Sequence, residues 1–219
     1  MSNKLAIFDL DGTLLNTIGD LAAGCNYMLA QRNLPQHSFE QYCYFVGNGV
    51  TRLVERALPE NLRTPEYVDA ARADFVAYYS ENINNYTKPY GGVITMLQRL
   101  TDAGVTLAVA SNKFHEGTIK LMEKHFGDFE FKAVYGNREG FPLKPDPALL
   151  QLIMAECGEF EPQQCYMIGD SGVDMQTATA AGVHAIGVSW GFRDCEELEV
   201  NGAEVICHSA AEVVEQILR

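Results

Sequence analysis

The stretch Leu5-Ala6-Ile7-Phe8-Asp9-Leu10-Asp11-Gly12-Thr13-Leu14 constrains the rest of the chain. A short apolar run that ends abruptly in two carboxylates reads as a buried strand with acid at its carboxyl end. Side chains two apart on an extended chain point the same way, so Asp9 and Asp11 can face one small volume. Like charges repel there, and a cation, a shared proton or strong donors must offset the repulsion. Gly12 permits a tight turn or a close approach to a ligand, and the Thr13 hydroxyl can act locally. Taken alone, the segment also fits an Asp-rich turn after a strand.

After Leu14 the period changes. Ile18, Leu21, Ala22, Cys25, Met28 and Leu29 share one helical stripe, and helix-period segments continue through Val50-Leu53-Val54-Ala57 and Ala71-Phe75-Tyr78-Tyr79. No strand pattern precedes Lys88. Residues 16–87 are therefore expected to form an all-helical insert, punctuated by Pro35, Gly47-Asn48-Gly49, Pro59 and Pro65, with Pro89-Tyr90-Gly91-Gly92 as the return hinge. Beyond it, strand-like runs at Val105–Ala110, Phe131–Tyr135, Cys165–Ile168, His184–Val188 and Glu204–Cys207 alternate with helical stretches at 92–103, 114–125, 146–157, 172–181, 193–201 and 209–218. That alternation predicts an α/β fold: a Rossmann-like doubly wound parallel sheet built from residues 1–15 and 88–219, with helices on both faces. The 219 residues suffice for such a domain plus one smaller insert.

The balance of 16 Lys+Arg against 29 Asp+Glu, a net charge of -13, disfavours nucleic acid as a partner but leaves room for a small anion in a locally cationic pocket. The cysteines Cys25, Cys43, Cys157, Cys165, Cys195 and Cys207 form no C-x-x-C pair, so neither a zinc knuckle nor a redox motif is expected. Met1-Ser2-Asn3-Lys4 leads straight into the first strand without a signal-peptide pattern, and no apolar run reaches membrane-spanning length. These features point to a cytoplasmic protein with no membrane partner.

The ends of the strands carry the chemistry. Leu5–Phe8 runs into Asp9, Val105–Ala110 into Ser111-Asn112-Lys113, and Cys165–Ile168 into Gly169-Asp170-Ser171-Gly172-Val173-Asp174. In open parallel sheets, ligands bind beyond the carboxyl ends of strands where the strand order switches, so these three ends can converge. Asp9, Asp11, Asp170 and Asp174 offer hard oxygens without a His or Cys set, which favours Mg2+; the spacing lacks the frame of an EF-hand. Lys144, set between prolines in Leu143-Lys144-Pro145-Asp146-Pro147, can meet an anionic nucleophile or a phosphate. Asn112 and Lys113 can open the next helix, whose free N–H groups favour an anion. Carboxylates, a hydroxyl and lysines around a metal suit displacement at phosphorus.

These residues resemble the haloacid dehalogenase superfamily of phosphatases. Asp9-x-Asp11-Gly12-Thr13 is similar to its first motif, Ser111 to the second, Lys144 to the third and Gly169-Asp170-x-x-x-Asp174 to the fourth, and residues 16–87 are similar to its helical cap domain. Within it, Val46-Gly47-Asn48-Gly49, Leu53-Val54-Glu55-Arg56-Ala57-Leu58 and Ser111-Asn112-Lys113 resemble the phosphoglycolate phosphatase group. The resemblance implies that Asp9 attacks phosphorus to form an aspartyl-phosphate, while Asp11 serves as acid and then base. It implies magnesium held by the Asp9 side chain, the Asp11 backbone carbonyl and the Asp170 side chain, with Asp174 orienting a bound water or Lys144. Ser111, Asn112, Lys113 and Gly12 would contact substrate, a small phosphorylated metabolite, with Lys144 offsetting charge. Asn16-Thr17 stands where the group commonly has Asp-Ser, and either residue can cap a helix.

Other readings stay open at this stage: a phosphosugar mutase or pyrophosphatase of the same fold, and a receiver-type signalling module phosphorylated on aspartate. A dehalogenase is disfavoured because that branch usually lacks the second carboxylate, supplied here by Asp11. The insert disfavours a receiver, which needs no substrate lid. Arg52 fits a substrate clamp or a surface helix position, and Gly47 and Gly49 fit a specificity loop or a plain turn. Trp190-Gly191-Phe192 reads as packing beside the site, and Tyr67, Tyr78 and Tyr79 read as core of the insert.

Overall fold

A computed structural model describes residues 3–219. Met1 and Ser2, on which the reading of the N-terminus partly rests, lie outside the described residues. The chain opens with β1 (Leu5–Phe8) and β2 (Leu15–Asn16), followed by four helices, α1 (Ile18–Gln31), α2 (Phe39–Phe45), α3 (Gly49–Ala57) and α4 (Pro65–Asn82). It returns through β3 (Lys88–Pro89) and continues as α5 (Val93–Asp102), β4 (Thr106–Phe114), α6 (His115–Phe126), β5 (Phe131–Asn137) and α7 (Ala148–Cys157). The last part comprises β6 (Cys165–Gly169), α8 (Gly172–Ala181), β7 (His184–Val188), α9 (Cys195–Val200), β8 (Val205–Cys207) and α10 (Ala210–Leu218).

The six longer strands form one parallel sheet in the order β5-β4-β1-β6-β7-β8. From β1 the chain winds outward through β4 and β5, then crosses back to β6, β7 and β8, so the winding reverses around β1. All four residues of β1 are buried because both sheet faces are covered. Their period of two sends Ala6 and Phe8 into one apolar cluster with α5, α6 and α10, and Leu5 and Ile7 into another with α7, α8 and α9.

The helices between β2 and β3 pack on the stripe read from the sequence: Leu21, Ala22, Cys25, Met28 and Leu29 of α1 are buried in one cluster with Val68, Ala71, Phe75 and Tyr79 of α4. Each fully buried large apolar side chain there contributes on the order of 2 kcal/mol. Both crossings between sheet and insert run side by side, since β2 and β3 pair antiparallel. Asp20, in the first turn of α1, fastens the return: its buried carboxylate accepts from the N–H groups of Asn85 (3.2 Å), Tyr86 (3.0 Å) and Thr87 (2.8 Å) and from the Thr87 hydroxyl (2.6 Å).

Three local expectations are corrected. β4 does not stop at Ala110 but runs irregularly to Phe114, so Ser111, Asn112 and Lys113 lie in the strand, and α6 opens only at His115. Asn112 and Lys113 therefore open no helix. Thr17 occupies the N-cap of α1 without a side-chain capping bond; the Asn16 side chain takes Ile18 N–H instead, at 3.4 Å. β2 and β3, two residues each, are too short to give a periodic signal.

Candidate active site

The strand ends expected to converge do so at the switch point. Asp9 follows β1 directly and is anchored by its N–H to the Ile168 carbonyl at 2.9 Å. Gly12 then adopts φ +91°, and a β-carbon there would lie 2.2 Å from Asp170 Oδ2, so glycine alone lets the first loop pass this close to the second acid. Gly191, beyond β7, approaches Asp170 from the other side with the same 2.2 Å restriction.

Asp9, Asp170 and Asp174 are buried, and one carboxylate oxygen from each lies within 4.8 Å of the others. Asp174 has both oxygens engaged: Oδ1 accepts from Lys144 Nζ at 2.7 Å, and Oδ2 from Ser171 N–H at 3.1 Å and the Ser171 hydroxyl at 2.7 Å. Asp170 Oδ2 accepts from Phe192 N–H at 2.7 Å, and Oδ1 from the Thr13 hydroxyl at 3.3 Å. Lys144 also donates to the Ala110 carbonyl at 2.8 Å. Its ammonium stands 3.0 Å from Asp9 Oδ1 but off the line of a hydrogen bond, which leaves that buried oxygen without a hydrogen-bond partner among the described residues.

Burial is the main force on the acids. It pushes the Asp9 carboxyl up to about 7, with Asp174 and Asp11 adding to the rise and Lys144 opposing it. Burial, then Asp174 and Asp9, raise Asp170 well above the ordinary carboxylate range. Burial alone would lower the Lys144 ammonium, but Asp174 and Asp9 outweigh it and hold the group above its usual value. A cluster this costly to ionise, with hard oxygens only and one of them unpartnered, fits a small divalent cation between Asp9 and Asp170.

Asp9 and Asp11 share a pocket yet answer to different lysines. Asp11 faces Lys113, whose Nζ lies 3.2 Å from Oδ1 and 3.3 Å from Oδ2 and donates to the Tyr79 hydroxyl at 2.6 Å. Asn112 works as a staple: its Nδ2 donates to the Gly47 carbonyl (3.0 Å) and the Lys144 carbonyl (3.1 Å), and its Oδ1 accepts from Lys144 N–H (2.9 Å). Above these groups lies a pocket partly open to solvent. Asp9, Asp11, Ser111, Asn112 and Lys113 supply its polar floor, and Leu21, Val46, Val50, Leu53, Phe75 and Tyr79 of the insert supply its walls. Gly47 and Gly49 also line it. A polar floor under apolar walls suits a small ligand with a polar head.

Arg52 is not brought to this pocket; it is largely exposed and pairs with Glu55 at 2.5 Å. The segment Trp190–Arg193 does more than pack. Trp190 Nε1 donates to the Thr13 carbonyl at 3.0 Å, Phe192 N–H holds Asp170, and Arg193 bonds to carbonyls of the insert. Tyr79, expected only as core, supplies a hydroxyl to Lys113. Extending the strand-end rule to the segment after His184–Val188 flags Trp190–Arg193, whereas nothing in the local pattern singles out one tyrosine of α4.

Residues 6–188 match the family model described as haloacid dehalogenase-like hydrolase. A phosphoglycolate phosphatase of Mesorhizobium japonicum is 33% identical, over 100% of this chain and 98% of the relative. One from Haemophilus influenzae is 35% identical over 86% of this chain and 87% of its own. A crystal structure from Lactobacillus delbrueckii subsp. bulgaricus, of a protein provisionally assigned as a phosphoglycolate phosphatase, superposes with a TM-score of 0.91 at 32% identity, covering 99% of both chains.

Proposed function

The chain belongs to the haloacid dehalogenase-like hydrolases, and from that premise we propose that it is a magnesium-dependent phosphatase. Its substrate would be a small phosphate monoester such as 2-phosphoglycolate, the ester named by the phosphatases it resembles. The observation that carries this reading is the division of the two acids of the first loop: Asp9 stands against Lys144 and the buried acid cluster, Asp11 against Lys113 under the insert.

In this reading an Asp9 carboxylate oxygen attacks phosphorus, forming the aspartyl-phosphate as the bond from phosphorus to the ester oxygen breaks. Asp11 delivers a proton to the departing oxygen, then removes one from the water that attacks the acyl phosphate and regenerates Asp9. Ser111 and the Lys113 ammonium bind the transferring group or the substrate beside it, Gly12 lets the backbone approach, and Asn112 keeps Lys144 and Gly47 in register. Lys144 offsets negative charge on Asp9, and Asp174, its oxygens already engaged, orients Lys144. Mg2+ would be held by the Asp9 and Asp170 side chains and the Asp11 backbone carbonyl; when bound it neutralises charge on the phosphoryl oxygens and on the buried acids.

Residues 16–87 serve as the cap and residues 1–15 and 88–219 as the catalytic domain. Six free cysteines support a reducing cytoplasm, and no helix of the described residues is long and apolar enough to cross a membrane.

The test is phosphate release with Mg2+ across two- and three-carbon phosphorylated acids, sugar phosphates, nucleotides and pyrophosphate, with Asp9→Asn alongside. A monoester turned over by the unaltered protein and not by the variant supports the reading. No turnover of any monoester, or equal rates for both proteins, overturns it.

A further inference from the structure

Arg193 lies in the segment between β7 and α9, outside every motif that carries the proposed reaction, yet its side chain is only 9% exposed. Its guanidinium donates to the carbonyls of Cys43, Tyr44 (3.3 Å) and Val46 (2.7 Å). These are the last turn and C-cap of α2, whose terminal carbonyls lack helical partners and favour a cation. Glu197 fixes the guanidinium from below: one oxygen is 3.2 Å from Arg193 Nε, and the other accepts from Gly172 N–H at 3.0 Å, where α8 begins.

The next carbonyl, Gly47, takes Asn112 Nδ2 at 3.0 Å. Two side chains of the sheet domain thus hold the backbone of 43–47, which includes Val46 and Gly47 of the pocket lining and leads directly into Gly49 and Val50. Phe192, the residue before Arg193, meanwhile holds Asp170 through its N–H. One short segment therefore fixes an acid of the buried cluster and the α2–α3 junction that lines the pocket. Lifting α2 and α3 to open the pocket breaks the bonds of Arg193.

We propose that Arg193 is a positioning residue that clasps the α2–α3 junction over the pocket and sets the population of the closed form. The kinetic half of this proposal rests on the phosphatase reading; the structural half does not. If only the closed form holds substrate productively, losing the clasp weakens apparent affinity in proportion to the closed fraction and spares the chemical step once substrate is bound.

The experiment compares Arg193→Ala, Arg193→Lys and Glu197→Gln with the unaltered protein by two readouts. The first is amide hydrogen exchange across residues 43–57, measured with Mg2+ and no substrate. The second is kcat and KM for para-nitrophenyl phosphate. For Arg193→Ala, exchange in 43–57 should rise about tenfold with β6 and β7 unchanged, and KM should rise about tenfold with kcat within about threefold. Arg193→Lys, which keeps a donor but not the fork, should fall between. Unchanged exchange in 43–57, or an increase spread evenly over the sheet, overturns the clasp; so does a fall in kcat at constant KM. Should Arg193→Ala fail to fold, Glu197→Gln decides, with the same effects expected at smaller size and unchanged exchange again counting against it. If the unaltered protein hydrolyses no phosphate monoester, the functional reading fails and the exchange data alone decide the clasp.

Discussion

Lys113 Nζ lies 3.2 Å from Asp11 Oδ1 and 2.6 Å from the Tyr79 hydroxyl, so one buried ammonium joins an acid of the first loop to a hydroxyl carried by the insert. The same ammonium lies 4.7 Å from the Tyr79 ring centroid. Lys113 thus has two partners besides any substrate. Tyr79→Phe keeps the ring and removes the acceptor, which should lower kcat/KM about three- to tenfold, the worth of one hydrogen bond. Lys113→Met removes the charge as well and should cost about 10²-fold. Steady-state kinetics on one monoester decide this, and a Tyr79→Phe variant as impaired as Lys113→Met would mean that the hydroxyl does more than hold the lysine.

Asp11 and Asp9 should fail differently. Asp11→Asn leaves the acids of the buried cluster in place, so Mg2+ affinity by calorimetry should change little while turnover falls about 10²-fold or more. Asp9→Asn should lose both. Activity of Asp11→Asn within a few-fold of the unaltered protein would remove its acid/base assignment.

Lys144→Ala should also lose about 10²-fold or more in turnover, because Asp9 and Asp174 then face each other without the ammonium between them. Protonation of either acid relieves their repulsion, so the residual activity should shift with pH. A variant with near-normal rates would assign charge compensation elsewhere.

The metal-free protein should be least stable at neutral and alkaline pH. Asp9 titrates at about 7 in the fold against 3.8 for the free group. Between those values the native state keeps a proton that the unfolded chain has released, so stability is full below the lower value and falls as pH rises through the upper one. Asp170, raised for the same reason, acts in the same direction. A cation that takes the place of those protons should therefore stabilise more at about pH 8 than at about pH 5, and melts in Mg2+ against chelator will show it. A Tm gain independent of pH would place magnesium away from these acids.

Asp20→Ala should cost about 2–4 kcal/mol, because a buried cluster of backbone N–H groups loses its charged acceptor. Asp20→Asn should cost less, since one oxygen still accepts. Urea titration measures both, and a surface-like loss under about 0.5 kcal/mol for the alanine would show that water satisfies those groups.

Much of this was legible in the chain itself. β1 and β7 have the expected limits and α8 spans its expected range, because buried parallel strands read as unbroken apolar runs and because Ser171 and the left-handed Gly182 mark the two ends of α8. Asp9, Asp11, Ser111, Lys144, Asp170 and Asp174 announced themselves by following such runs or by sitting in fixed loops. β4 ran on past Ala110 because an irregular strand end follows its neighbour β5, not its own polarity. Tyr79 and Arg193 carry no such signal, since each bonds across the join between insert and sheet, and a local pattern holds no information about what the other unit presents. Arg193 in particular bonds to main-chain carbonyls, which carry no side-chain signature at all.

The pairing of Leu15–Asn16 with Lys88–Pro89 has a consequence for how such chains can be altered. Exit and re-entry sit one strand spacing apart, roughly 4.8 Å, so the excursion between them has a fixed and narrow footprint. A different helical unit whose two ends stand that close could be spliced at the same seam without shifting the register of β1 against β4 or β6. The chain is in that sense two texts with a single splice point: the polar floor of the pocket is written in one, and most of its apolar wall in the other.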